Sequence, residues 1–227
     1  MNRVLSLFAL GLVLAGPAGA AETAAKHPDS KGWPALFAPD LSDALCNKEV
    51  WSVQEGVLTA TRDDCIWTQK EYENFDLDLE FRCGDGANSG VLVYCTDTGA
   101  WIPNSVEVQI LDDLSPKCKN AAPTSKCAAI YGRLAPSKSA VKKTGEWNRM
   151  TLICRGPLIS VVLNGELVTE CDMKRFTSAK KNPDGSDVPP WLSRPMAEMA
   201  TRGRIGLQGM HGGVPISFRN LRIRPAE

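Results

Sequence analysis

The feature that most constrains this chain is strict two-residue alternation in short runs. In residues 74–82, NFDLDLEFR, Phe75, Leu77, Leu79 and Phe81 fall on one side and Asp76, Asp78, Glu80 and Arg82 on the other. Successive side chains on a strand point to opposite faces, so this period belongs to a half-buried β-strand. Residues 105–111, SVEVQIL, repeat the pattern, with Val106, Val108 and Ile110 opposite Glu107, Gln109 and Leu111. Further strands are expected at 49–54, 56–61, 90–95, 148–154, 158–163, 166–170, 203–208 and 215–223. Asn164-Gly165 between two of these runs predicts a type I′ hairpin turn. Outside the first twenty residues no stretch of ten or more keeps a helical period, and 19 Gly and 15 Pro disfavour helices further. The expected class is an all-β sandwich or jelly roll.

Residues 1–20, MNRVLSLFALGLVLAGPAGA, have a cationic head at Arg3, an apolar run from Val4 to Ala15 and a small-residue end at Ala18-Gly19-Ala20. This is the layout of a secretory signal peptide, with cleavage expected after Ala20. The apolar run is too short to span a bilayer comfortably. The expected organisation is a signal peptide at 1–20, a polar leader at 21–30 and one domain at 31–227, in a secreted or periplasmic protein.

Export changes what the eight cysteines mean, since an even number in an oxidising compartment predicts disulfides. Zinc is disfavoured because there is no C-x-x-C or close Cys/His cluster. Cys118 and Cys127 share one Pro/Lys/Ser-rich segment and are the most plausible pair. Cys154 and Cys171 end the first and third strands of a predicted meander, about 9–10 Å apart. That exceeds the roughly 7 Å a disulfide spans between Cα atoms, so each is expected to bond elsewhere. Residues 112–146 and 172–202 read as long connections, the second held down by Trp191, Met196 and Met199.

Lys and Arg number 26, as do Asp and Glu, so the net charge is zero. That balance argues against nucleic acid as a partner and against a basic membrane-surface module. There is no G-x-S-x-G elbow, P-loop or H-E-x-x-H, and only two His, of which His27 is expected to be solvated in the leader. Serine-triad chemistry would have to run through His211 alone. The remaining chemistry sits on strand faces: Glu107 and Gln109 on one strand, Arg82 on another, followed by the small-residue turn Gly84-Asp85-Gly86-Ala87-Asn88-Ser89-Gly90.

These residues carry a resemblance. Phe81-Arg82, Gly86-Ala87-Asn88-Ser89-Gly90-Val91, Glu107-Val108-Gln109-Ile110-Leu111-Asp112, Ile130-Tyr131-Gly132, Gly145-Glu146-Trp147-Asn148, Leu163-Asn164-Gly165, Gly206-Leu207-Gln208 and Phe218-Arg219-Asn220 stand in the order seen in the 3-keto-disaccharide hydrolase domain family. Gly32-Trp33-Pro34-Ala35-Leu36-Phe37 resembles its start, and the match covers about 31–225. The resemblance implies a concanavalin A-like jelly roll of two packed antiparallel sheets with a concave carbohydrate groove. It also implies glycosides whose glucose unit is oxidised to a ketone at carbon 3.

Glu107-x-Gln109 resembles a depleted glucanase strand, with one carboxylate where ordinary glycoside hydrolysis needs two. A ketone at carbon 3 acidifies the hydrogen on carbon 2, so one base suffices for elimination of the aglycone, followed by hydration. On this reading Glu107 is the base, Arg82, Asn88 or Tyr131 steadies the enolate, and Gln109 and Gln208 hold sugar hydroxyls. His211 is an alternative base or acts on the leaving group. No cofactor is required, although a divalent metal could take the place of the cationic side chain.

Two other readings compete. A non-catalytic carbohydrate-binding module would rely on stacking residues such as Trp67, Trp101 and Trp191. An enzyme on unmodified glucan would need a second carboxylate from Asp76, Asp78 or Asp112. Oligomeric state is not legible.

Overall fold

The computed structural model describes residues 26–226, so the expected signal peptide and leader residues 21–25 lie outside the described residues. Among these, every regular element is a strand or a single short 3-10 turn, and no helix is long and apolar enough to cross a membrane. Two antiparallel sheets form a sandwich. The first has the order β1 (Ala44–Leu45), β4 (Cys65–Tyr72), β11 (Gly203–Gln208), β6 (Asn88–Cys95) and β7 (Val106–Leu111). The second has the order β10 (Glu166–Asp172), β9 (Leu158–Leu163), β8 (Asn148–Arg155), β5 (Phe75–Cys83), β12 (Ile216–Pro225), β3 (Val57–Ala60) and β2 (Trp51–Gln54). The expected jelly-roll class is borne out.

Alternation explains the core. Leu77, Leu79 and Phe81 of β5 face Val91, Val108 and Ile110 of the five-stranded sheet, all fully buried. Each such side chain contributes about 1.5–3 kcal/mol relative to exposure. The opposite face of β5 is a ladder of ion pairs. Asp76 accepts from Arg155 at 2.7 Å and Arg224 at 2.6 Å, Asp78 from Arg149 at 2.9 Å, and Glu80 pairs with Arg219. Asp76 and Asp78 are therefore committed to arginines on the outer face of the seven-stranded sheet. Asp112 is buried, accepting from the Gly86 amide and the Thr144 hydroxyl. None of the three can supply a second groove carboxylate.

Two expectations at the chain's start need correction. His27 is half-buried rather than solvated, and the leader is part of the fold from that residue onward. Its Nε2 accepts from the Gly165 amide at 2.8 Å, which fixes the proton on Nδ1, and Nδ1 meets Thr151 Oγ1 at 2.9 Å. Thr151 in turn donates to Asp78 at 2.6 Å, and the Pro28 carbonyl accepts from Arg149. Residues 27–30 thus staple β8 and the β9–β10 turn to β5. The β9–β10 turn runs through Asn164 and Gly165 at φ 51° and 89°, the left-handed pair a type I′ turn requires.

All eight cysteines are free thiols, so the expected disulfides are not formed, Cys118–Cys127 included. Cys83, Cys95, Cys127, Cys154 and Cys171 are buried and fill space as small apolar groups. Cys154 and Cys171 flank Ile159 on one rung of the β8–β9–β10 meander, two strands apart as the strand spacing implies. One long strand, β4, escaped the alternation reading. Ile66 packs in the sandwich core while Trp67 is buried on the sheet's other face, so its two faces do not differ in polarity.

Candidate active site

The outer face of the five-stranded sheet forms the floor of a cleft of about 650 Å³. Register decides what lines it. Gly90 pairs with Gln109 and Leu92 with Glu107, while Gly206 lies opposite both Leu92 and Trp67. Glu107, Gln109, Gly90, Leu92 and Trp67 thus share the face pointing away from the core. Beyond β7 the chain runs back along its edge: the Tyr131 amide donates to the Glu107 carbonyl at 3.0 Å, and the Gln109 amide to Ala129 at 2.9 Å. This added bridge segment sets Tyr131 beside Glu107.

Glu107 is the central group. Its carboxyl lies over Gly90, where any Cβ would come within 2.3 Å of Oε1, so only glycine leaves room for it. Burial pushes its pKa up to about 8, and no charged neighbour contributes. The carboxyl is electrically solitary. Asp63 and Asp64 also reach the cleft, but Asp64 accepts from the Cys65 amide at 2.8 Å and Asp63 pairs with His211.

Polar groups gather on one side of Glu107. Gln109 Nε2 donates to Asn88 Oδ1 at 2.6 Å, leaving Gln109 Oε1 buried without a partner. A buried acceptor without a donor is costly, and a ligand hydroxyl would satisfy it. Gln208 lines the same end, as does His211, whose Nδ1 stands 2.7 Å from Asp63 Oδ2. The backbone bridge between Asn88 and His211 ties these groups together. Tyr131 has its pKa raised by burial and then by the charge of Glu107, opposed by a hydrogen bond from Trp191. Its hydroxyl therefore keeps its proton at neutral pH.

Glu107, Gln109, Asn88, Tyr131, Gln208 and His211 all line this one cleft. Arg82 does not. It projects from β5 on the opposite sheet, exposed, with its guanidinium 4.8 Å from the Trp147 ring centre. Alternation told which face of its strand Arg82 occupies but not that this face belongs to the back of the molecule. Trp67, Trp101 and Trp191 do reach the cleft, the first two 6.4 Å apart between ring centres.

Sequence reading missed Asp63, Asp64, Arg133 and Arg194, all in loops without a periodic signal. Arg133 is buried, with burial lowering its pKa, and donates to the carbonyls of Ser178 at 3.1 Å, Leu192 at 3.0 Å and Arg194 at 2.6 Å. It clamps the 176–199 connection, with its 3-10 turn at Met196–Glu198, against the cleft.

Comparison with known proteins follows this geometry. The 3-keto-alpha-glucoside-1,2-lyase-like domain matches residues 26–224. The crystal structure of a proposed glycosyl hydrolase from Parabacteroides distasonis ATCC 8503 shares 56% identity at a TM-score of 0.83, over 86% of this chain and 99% of that one. A second such protein from that organism, 23% identical with a TM-score of 0.69 over 86% of this chain and 95% of its own, shares the fold. No curated protein matches. The chain belongs to the family of 3-keto-alpha-glucoside-1,2-lyase-like domains.

Proposed function

We propose that the protein is an exported glycoside-cleaving enzyme acting on 3-keto-glycosides by elimination followed by hydration. The observation that carries this reading is the solitary, half-buried carboxyl of Glu107, set over Gly90 on the cleft floor beside hydrogen-bonding neighbours, and burial raises its pKa to about 8. Ordinary hydrolysis needs two carboxyls about 5–9.5 Å apart, and the other acids of the cleft, Asp63 and Asp64, are engaged by His211 and by the Cys65 amide. Elimination needs one base whose pKa lies near the working pH, and burial raises a carboxyl toward it.

In the proposed reaction Glu107 takes the hydrogen from carbon 2. Electrons from that bond form a double bond to carbon 1 as the bond from carbon 1 to the aglycone oxygen breaks. Asn88, whose Oδ1 takes the Gln109 bond, donates through Nδ2 to the ketone oxygen, where charge gathers, His211 lines the same end, and the Tyr131 hydroxyl gives its proton to the departing oxygen. Gln109 and Gln208 hold sugar hydroxyls. Water then adds its hydroxyl to carbon 1 and gives its other proton to the Tyr131 phenolate, while Glu107 returns its proton to carbon 2, so the sum is hydrolysis without an oxidant or reductant.

The test is release of aglycone from a 3-keto-glucoside and from its unoxidised parent. Release from the first alone supports the reading. Sugar binding without release from either would assign the protein to the non-catalytic binding class instead. The exported location rests on the composition of residues 1–20.

A further inference from the structure

The cleft changes character along its length, and Glu107 marks the border. Toward the C-terminal end of β7 the lining is hydrogen-bonding: Gln109, Asn88, Gln208 and His211. Toward its N-terminal end the lining is Trp101, Ile102, Pro103, Trp191, Leu192 and Met196. Several polar groups of that second half are already engaged by the protein. Ser105 donates to the Trp101 carbonyl at 2.8 Å, Arg194 to Asn104 Oδ1 at 2.8 Å, and Arg133 to its three carbonyls. The polar half, in contrast, keeps the Gln109 acceptor open.

A second sugar ring placed in the apolar half would lose the hydration of its hydroxyls and find few protein partners. A flat apolar ring would lose nothing comparable and would meet two indoles and a methionine, which packs adaptably against aromatic groups. Resting on the reading of Glu107 given above, we infer that the substrates are 3-keto-glucosides with an aromatic aglycone. The oxidised sugar occupies the Gln109 end and the aglycone lies between Trp101 and Trp191. Carbon 1 then sits above Glu107, at the border, where the bond to the aglycone must break.

The experiment compares two 3-keto-glucosides with similar leaving groups, both primary alcohols: the benzyl glucoside and a 6-linked disaccharide, each in both anomers. The expected result is a kcat/KM at least about 10-fold higher for the benzyl compound, a discrimination a hydrophobic pocket can supply. Trp191 is half exposed, so Trp191→Ala leaves the core intact, and it should shrink that ratio to roughly 2-fold. Equal rates, or a preference for the disaccharide, would overturn the aglycone assignment and leave the elimination reading standing. Cleavage of neither would instead remove the elimination reading. In that case calorimetric binding of the unoxidised pair still decides the aglycone question, with tighter benzyl glucoside binding expected and tighter disaccharide binding overturning it.

Discussion

At the residue scale the site depends on one carboxyl and the absence of one methyl group beneath it. Glu107→Gln keeps the volume and removes the base, so aglycone release from a 3-keto-glucoside should fall by about 10²–10⁴-fold while the melting temperature changes little. Gly90→Ala is subtler. Its Cβ would stand 2.3 Å from Oε1 and 2.7 Å from Cγ of Glu107, both in a side chain free to swing away. We expect a folded protein with kcat/KM lowered about 100-fold and a Glu107 pH profile shifted toward that of a solvated acid. Glu107 and Gln109 were legible because alternation put them opposite a core face. Arg82 was misassigned by the same logic, since a polar strand face looks identical whether it lines a cleft or the back of the sandwich. Its partner Trp147 lies in the loop before β8, and no local spacing announces that stack.

At the element scale, most strands were read closely, the doubly buried β6 and β11 among them, and β4 was the long strand that was not. β5, β7 and the β8–β10 meander fell where period two placed them, whereas β4 runs between core and cleft and shows no such period. The 176–199 connection was recognisable as packed from its Trp and Met residues, but its fastening was not, because Arg133 reaches it only through backbone carbonyls. Replacing Arg133 by Met leaves three carbonyls without their donors, at a cost of about 1–3 kcal/mol. The expected outcome is faster limited proteolysis within 178–194 and a raised KM, with cleavage elsewhere unchanged.

For the whole molecule, two titrations run in opposite roles. The proposed elimination uses Glu107 ionised, so kcat/KM should rise about tenfold per pH unit below 8 and level off above it. Stability answers to His27, whose pKa is lowered first by burial and then by the charge of Arg149. The fold binds its neutral form, because protonating Nε2 would oppose the Gly165 amide that donates to it. Its contribution is complete above the ordinary value of 6.5 and is lost as pH falls through the lowered folded value. Wild type should therefore lose roughly 2 °C more than His27→Ala between pH 7.5 and pH 5 in thermal melts.

The strand order carries a consequence for how the chain is made. β11 lies between β4 and β6, and β12 between β5 and β3, so the last two strands to leave the ribosome occupy the interior of both sheets. A nascent chain lacking them holds four separate β fragments, each with raw edges and no closed hydrophobic interior. Neither layer can close until both β11 and β12 have been made, so the sandwich assembles late in the synthesis of this domain.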